Sequence, residues 1–245
     1  MTSRDDFEAM GDRMPHTEPL AVADLQLDAE TILELLGPRL PERRRERIEE
    51  VVASRTYEVA TVLDGIYDRG NVSAVIRTAE ALGYQSMHVV ESQEHFKEAN
   101  RVTQGTDKWL DIERYDRPAE CLDVLRDRGY RVAATDLQAS RSLSAVEVDE
   151  PTALVFGNEK DGVSEPMLEA ADVRFRVPMV GFAQSYNISV GAAITLYDVF
   201  ERRVEQLGSH GDLDAGQREL LRARYYLKSV DEPERLLRGL LRRRE

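Results

Sequence analysis

The sequence predicts an α/β fold: a mostly parallel sheet with helices on both faces, flanked by further helices toward each end. Two observations carry this. From Val59 onward, short β-rich runs alternate with helical segments of about ten residues or more, the pattern of parallel strands joined by crossover helices. The run Thr152 to Phe156 is nearly all apolar, as a buried strand should be, and then breaks into "GNEKDGVSEP", which places turn formers and charges at a strand's carboxyl end. With 42 % apolar residues among 245, the chain can bury a sizeable core.

The elements follow in order. Residues 1–38 hold nine acids and two arginines and are expected to be loosely structured, with one short helix at Asp28 to Leu36 stopped by Gly37 and Pro38. A basic helix follows from Pro41 to Ser54, its arginines on one side and Ile48, Val51 and Val52 on the other. Strands are expected at Val59 to Leu63, Ser86 to Val90, Arg131 to Thr135, Thr152 to Phe156 and Val173 to Val177. Helices are expected at Asn71 to Leu82, Pro118 to Arg128, Ser164 to Ala170 and Asn187 to about Leu207. A last Arg-rich segment, Gln217 to Arg244, adds one or two helices. The divisions are therefore an acidic extension (1–38), a basic helix (39–58), an α/β domain (59–207) and an Arg-rich helical extension (208–245).

Composition excludes several classes. No apolar run reaches about 18 residues and the first residues are acidic, so neither a membrane span nor a signal peptide is expected, and a cytoplasmic protein is. Cys121 is a single cysteine on an apolar helix face and reads as an inert buried thiol. Four scattered histidines lack ligand spacing, so no metal site is expected. The net charge of −13 is unevenly placed: residues 218–245 carry nine Lys or Arg against five acids, and "RLPERRRER" runs from Arg39 to Arg47. Of the basic residues 29 are Arg, the better bidentate phosphate binder, so an RNA-binding surface built from both ends stays open beside the plainer reading of solvated helix faces.

Three constellations carry chemistry. In "NVSAVIRTAEALG", Asn71 reads as an N-cap, Val72, Val75, Ile76 and Ala79 form a core-facing stripe, and Arg77 lies opposite. In "FGNEKDGVSEP", Gly157 and Gly162 permit close backbone approach or positive φ, and Glu159 is a charge at a glycine-framed strand end that ordinary turn chemistry leaves unexplained. In "VPMVGFAQSYNISVGAAITLY", Ser185 and Asn187 precede a helix that is nearly apolar all round, expected to be deeply buried against the sheet or a second subunit.

Together these segments resemble the three motifs of the SPOUT class of RNA methyltransferases, in its tRNA (guanosine-2'-O)-methyltransferase branch, over about Arg43 to Leu207. The resemblance implies a fold whose C-terminal part forms a trefoil knot, a rare exception to unknotted topology. It implies functional roles for Asn71, Arg77, Glu159, Ser185 and Asn187, an S-adenosylmethionine pocket around Thr135, Gly157, Val177, Met179 and Tyr186, and RNA contacts from Arg44, Arg47 and Arg55. Arg218, Arg222, Arg224 and Lys228, with Arg242 to Arg244, complete the expected tRNA-gripping surface. Two positions depart from the family: Gly70 stands where His is frequent, and Tyr186 where Leu is frequent, which would alter the adenine side of the pocket.

The implied reaction is methyl transfer from S-adenosylmethionine to a ribose 2'-hydroxyl of tRNA, at a D-loop guanosine of the Gm18 type, by a homodimer. Arginine stays protonated in proteins, so Arg77 is read as holding an RNA phosphate and stabilising alkoxide charge rather than as the base. An enzyme acting on ribosomal RNA would share every motif but commonly carries a compact N-terminal RNA-binding domain, and only about 58 residues precede the first strand here. A non-catalytic RNA-binding module would not need all five motif residues, and a dinucleotide-binding protein would need G-x-G-x-x-G after the first strand, which is missing.

Overall fold

The structure is a computed structural model that describes residues 13–91, 105 and 107–243. Residues 1–12 of the acidic extension, and Arg244 of the last expected helix, lie outside the described residues. In chain order the elements begin with a short antiparallel hairpin, β1 (Leu20–Val22) and β2 (Leu25–Leu27), then α1 (Ala29–Leu36) and α2 (Glu42–Ala53). The alternating part comprises β3 (Val59–Asp64), α3 (Arg69–Ala81), β4 (Ser86–Val90), β5 (Asp111–Tyr115), α4 (Pro118–Asp127), β6 (Arg131–Thr135), β7 (Thr152–Phe156), α5 (Glu165–Glu169), β8 (Val173–Phe175) and α6 (Ile188–Leu207). Two helices follow, α7 (Ala215–Leu227) and α8 (Pro233–Leu241). The chain divides into two compact units.

The larger unit, which contains Thr56–His210, is built on a six-stranded sheet in the order β5-β4-β3-β7-β6-β8, every pair of neighbours parallel. Side chains alternate across the strands, so each strand feeds two cores. Val59 and Leu63 of β3, with Leu154 and Phe156 of β7, join Val72, Val75 and Ile76 of α3 and Ala192, Leu196 and Val199 of α6 on one face. Ala60, Val62, Ala153 and Val155 meet Cys121 and Leu125 of α4 and Met167 of α5 on the other. Burial raises the Cys121 thiol to about 12, which makes it inert as expected. The expected α/β class with helices on both faces is what the sheet shows.

Four details correct the sequence reading. The segment before residue 38 is not loose throughout, because β1 and β2 pair and Met14, Leu20 and Val22 are buried. A sixth strand, β5, was not expected. It forms a sheet edge, and its "DIERY" carries polar side chains that are satisfied sideways: Arg128 pairs with Glu113 at 2.5 Å, and Tyr115 Oη lies 2.9 Å from His88 Nδ1. Burial lowers His88 to about 4, so the ring is a neutral hydrogen-bonding group. Asn71 is not the N-cap of α3; Asp68 is, accepting the Asn71 N–H at 2.8 Å. β8 ends at Phe175 rather than Val177, because Arg176 instead bridges to Ser142 in the loop between β6 and β7.

That loop is clasped from two sides. Leu143 N donates to Arg176 O and Arg176 N to Arg141 O, while Arg202 and Arg203 of α6 donate to the carbonyls of Val146 and Val148, both at 2.7 Å. The chain leaving β8 is thus held against residues 141–143 before it reaches α6.

The smaller unit joins Met14–Arg55 to the segment from Gly211 onward. α1 and α2 pack against α7, burying Ile32, Leu36, Ile48 and Val52 with Leu220, Leu221 and Tyr225. Glu49 of α2 pairs with Arg222 of α7 at 2.8 Å, and His16 Nδ1 lies 2.9 Å from Arg224 Nη1.

Candidate active site

β3 and β7 are neighbours in register, Leu63 opposite Phe156, so their carboxyl ends emerge side by side. The loop after β3 leads into α3, and the loop after β7 carries Glu159. At their meeting point the Asn71 side chain donates from Nδ2 to Glu159 Oε1. Asn187, just before α6, donates from its own Nδ2 to Asn71 Oδ1 at 3.2 Å. The three side chains form one chain of hydrogen bonds with a single direction, from Asn187 through Asn71 to the Glu159 carboxylate. Such a chain fixes which way the Asn71 amide faces.

Asn187 also caps α6, its Oδ1 accepting the Ser189 N–H at 2.9 Å and the Ser189 hydroxyl at 2.6 Å. Its amide is therefore committed at both ends. The loop after β7 is shaped by Asn158, whose Oδ1 accepts the N–H groups of Lys160 at 2.9 Å and Asp161 at 2.7 Å, and whose backbone pairs with Gly162. Gly157 has no room for a side chain: a Cβ there would lie 2.0 Å from Gly162 C and Val163 N. Gly162 supplies a φ of 76°.

Beside this constellation lies a cavity of about 380 Å³. Its walls include Thr135, Gly157, Val177, Met179 and Tyr186, all five residues expected around a cofactor, together with Glu159, Ser185 and Asn187. The Tyr186 hydroxyl donates to Pro178 O at 3.2 Å, closing the segment between β8 and α6 upon itself. Arg77 stands exposed on α3 and has no hydrogen-bond or ion-pair partner among the described residues.

The sequence pattern of the SpoU rRNA Methylase family matches residues 58–197. The chain belongs to the SpoU family. Its fold is accordingly the α/β knot of these methyltransferases. A tRNA (guanosine(18)-2'-O)-methyltransferase of Borreliella burgdorferi is 34 % identical over 197 residues, covering 80 % of this chain and 90 % of that one. The enzyme of that name from Thermus thermophilus is 36 % identical over 165 residues, covering 67 % and 85 %. Among solved structures, the A. aeolicus TrmH/SpoU tRNA modifying enzyme superposes with a TM-score of 0.69 at 32 % identity, covering 78 % of this chain and 98 % of that one. The SpoU methyltransferase AviRb from Streptomyces viridochromogenes, solved with the cofactor AdoMet, gives 0.55 at 25 % identity over 60 % of each chain.

Within this SpoU chain, the residues expected to touch RNA divide. Arg44 and Arg47 of α2 and Arg218 of α7 are exposed, Arg47 pairing with Glu50 only at the surface, and Lys228 is partly buried. Arg55 is a correction: it is 1 % exposed, enclosed by protein rather than presented to a phosphate. Arg222 and Arg224 are likewise committed inside the smaller unit, to Glu49 and His16. Two residues that shape the SpoU site escaped the sequence reading. Asp68 was hidden because Asn71 is an equally good cap in isolation, and Asn158 because its work is done toward its own loop; an Asn beside Gly at a strand end was the available signal.

Proposed function

We propose that the chain transfers a methyl group to the ribose 2'-hydroxyl of a D-loop guanosine in tRNA, the Gm18 position, using S-adenosylmethionine. The observation that carries this reading is the Asn187–Asn71–Glu159 chain at the edge of a cavity with a glycine wall. The cavity fits the cofactor: its volume lies within the range of about 300–1,000 Å³ usual for small-molecule sites, and Gly157 lets the loop after β7 fold back on its own backbone at Gly162 and Val163, which gives the cavity a compact main-chain wall. Thr135, Gly157, Val177, Met179 and Tyr186 would hold it. S-adenosylmethionine supplies, when bound, a methyl group on a positively charged sulfur.

The protein's own residues then have two tasks, because a ribose hydroxyl is a poor nucleophile. One is placement: Asn71, its amide direction fixed by Asn187 and Glu159, would orient the ribose or Arg77, and Ser185 would meet the substrate edge. The other is charge. Arg77, exposed and without a partner among the described residues, is available to hold an RNA phosphate and stabilise the developing alkoxide, while an oxygen of that phosphate takes the proton. Incubating the chain with labelled cofactor and total RNA containing both tRNA and ribosomal RNA, then mapping 2'-O-methyl positions, tests this. A mark confined to guanosine 18 is the expected result, and a mark confined to ribosomal RNA would replace the substrate.

The same reading includes a homodimer. α6 buries Ala192, Thr195, Leu196 and Val199, but Val190, Ile194, Tyr197, Val204 and Leu207 form an exposed apolar stripe on its other side, with Val180 and Phe182 exposed just before it. Solvated stripes of this length mark association surfaces, and a second copy would cover it while its arginines reach RNA bound at this pocket. Sedimentation at micromolar concentration should give a dimer, and Ile194→Asp a monomer with lower activity. A fully active monomer of the unaltered chain would overturn the reading.

Arg43, Arg44 and Arg47 on α2 and Arg218 on α7, with Arg242 and Arg243 after α8, are exposed and left to grip tRNA. Each phosphate contact contributes roughly 0.7–0.9 to the log–log slope of affinity against salt. Replacing Arg43, Arg44 and Arg47 with Ala should flatten that slope by about 2 and leave cofactor affinity unchanged. An unchanged slope would make them solvated helix faces.

A further inference from the structure

Asp64 is the last residue of β3, a strand in which every residue is buried, and is itself only 3 % exposed. A carboxylate in that position costs far more than an apolar side chain unless it is held. Its Oδ2 accepts the backbone N–H of Ser164 at 2.7 Å, across 100 residues of sequence. The contact is to the backbone alone: the Ser164 hydroxyl is buried without a hydrogen-bond partner among the described residues. Gly65, next in the chain, takes a φ of 64° and lies so close to the loop after β7 that its missing Cβ would stand 3.7 Å from Asn158 Nδ2.

Two loops are therefore joined at both ends. Residues 64–71 and 157–164 meet at Asp64 and Ser164 at the base, and at Asn71 and Glu159 at the tip. Between these points run Gly157 to Val163, one wall of the cavity. We propose that Asp64 is a positioning residue: by holding Ser164 it sets where that wall stands and brings Glu159 within reach of Asn71. A charged acceptor suits the task, since hydrogen bonds to an ionised carboxylate are about twice as strong as neutral ones. The role rests on the proposed methyl transfer for its purpose but not for its geometry.

The bond is broken from either side. Asp64→Ala removes the acceptor, and Ser164→Pro removes the donor at a φ of −62°, which proline adopts natively. Each should lower S-adenosylmethionine affinity, read by calorimetry without RNA, about tenfold, and lower single-turnover transfer at saturating cofactor about tenfold. The double variant should be no worse than either single one, since both remove the same interaction. Asp64→Asn keeps an acceptor oxygen without the charge and should recover part of the affinity. In the unaltered chain, the Ser164 amide should exchange with solvent far more slowly than the amide of Gly181, which has no hydrogen-bond partner among the described residues, and this measurement needs no variant to fold. Unchanged affinity in both single variants, additive losses in the double, or a fast-exchanging Ser164 amide would overturn the proposal. A chain that binds cofactor but methylates no RNA would defeat the proposed function and leave this assignment standing.

Discussion

Arg77→Ala is expected to lower methyl transfer to tRNA about 100- to 1,000-fold, the range seen when a preorganised donor to transition-state charge is removed. The melting temperature and cofactor affinity should not move. Arg77 lies opposite the stripe of Val72, Val75, Ile76 and Ala79 that anchors α3, so the fold does not use its side chain, and it is not among the residues that line the cavity. Stopped assays at saturating S-adenosylmethionine, with calorimetry and melting on the same preparation, separate these quantities. Arg77→Lys should restore little, because a single ammonium cannot reproduce the forked grip on a phosphate. Activity within a few-fold of the unaltered chain would remove Arg77 from the chemistry.

Gly157→Ala should abolish measurable cofactor binding, a loss of at least about 100-fold, or about 2.7 kcal/mol. The obstacle is space rather than backbone conformation. The new methyl would stand 2.0 Å from Gly162 C and Val163 N, both backbone atoms, so the wall of the cavity has to open. Gly181→Ala is the matched control, since nothing lies within 4 Å of its Cβ position. Calorimetry on the pair decides the matter: equal affinities would mean that residues 157–163 do not form the cofactor wall.

The strands legible in the sequence were the apolar ones, most of them buried at every residue, with the β8 edge strand read two residues too long. β3, β4 and β7 are buried at every residue, so their apolar runs announce themselves without any partner. β5 has a neighbour on one side only and balances its polar residues against His88 and Arg128, which no periodicity reveals. β1 and β2, at three residues each, are too short to establish alternation. The site was legible because its polar residues follow strand ends, where parallel sheets open. What joins them was not: Asn71 meets Glu159 across 88 residues and Asn187 across 116. The same limit hid the burial of Arg55 and the pairing of Arg222 and Arg224, since an arginine in sequence gives no sign of whether it faces water, the interior or a distant Glu49 or His16.

The smaller unit imposes an order on synthesis. α1 and α2 leave the ribosome early, with Ile32, Leu36, Ile48 and Val52 facing outward and their partner surface on α7 not yet made. Residues 56–210 must be translated in between, which at about 5–20 residues per second takes roughly 8–30 s. During that interval the nascent N-terminal segment is a sticky amphipathic pair waiting for its closing helix, whereas the parallel sheet can already assemble. Stalling translation before residue 215 should therefore leave a folded sheet carrying an unprotected, chaperone-accessible arm, and release past residue 227 should be the event that hides it.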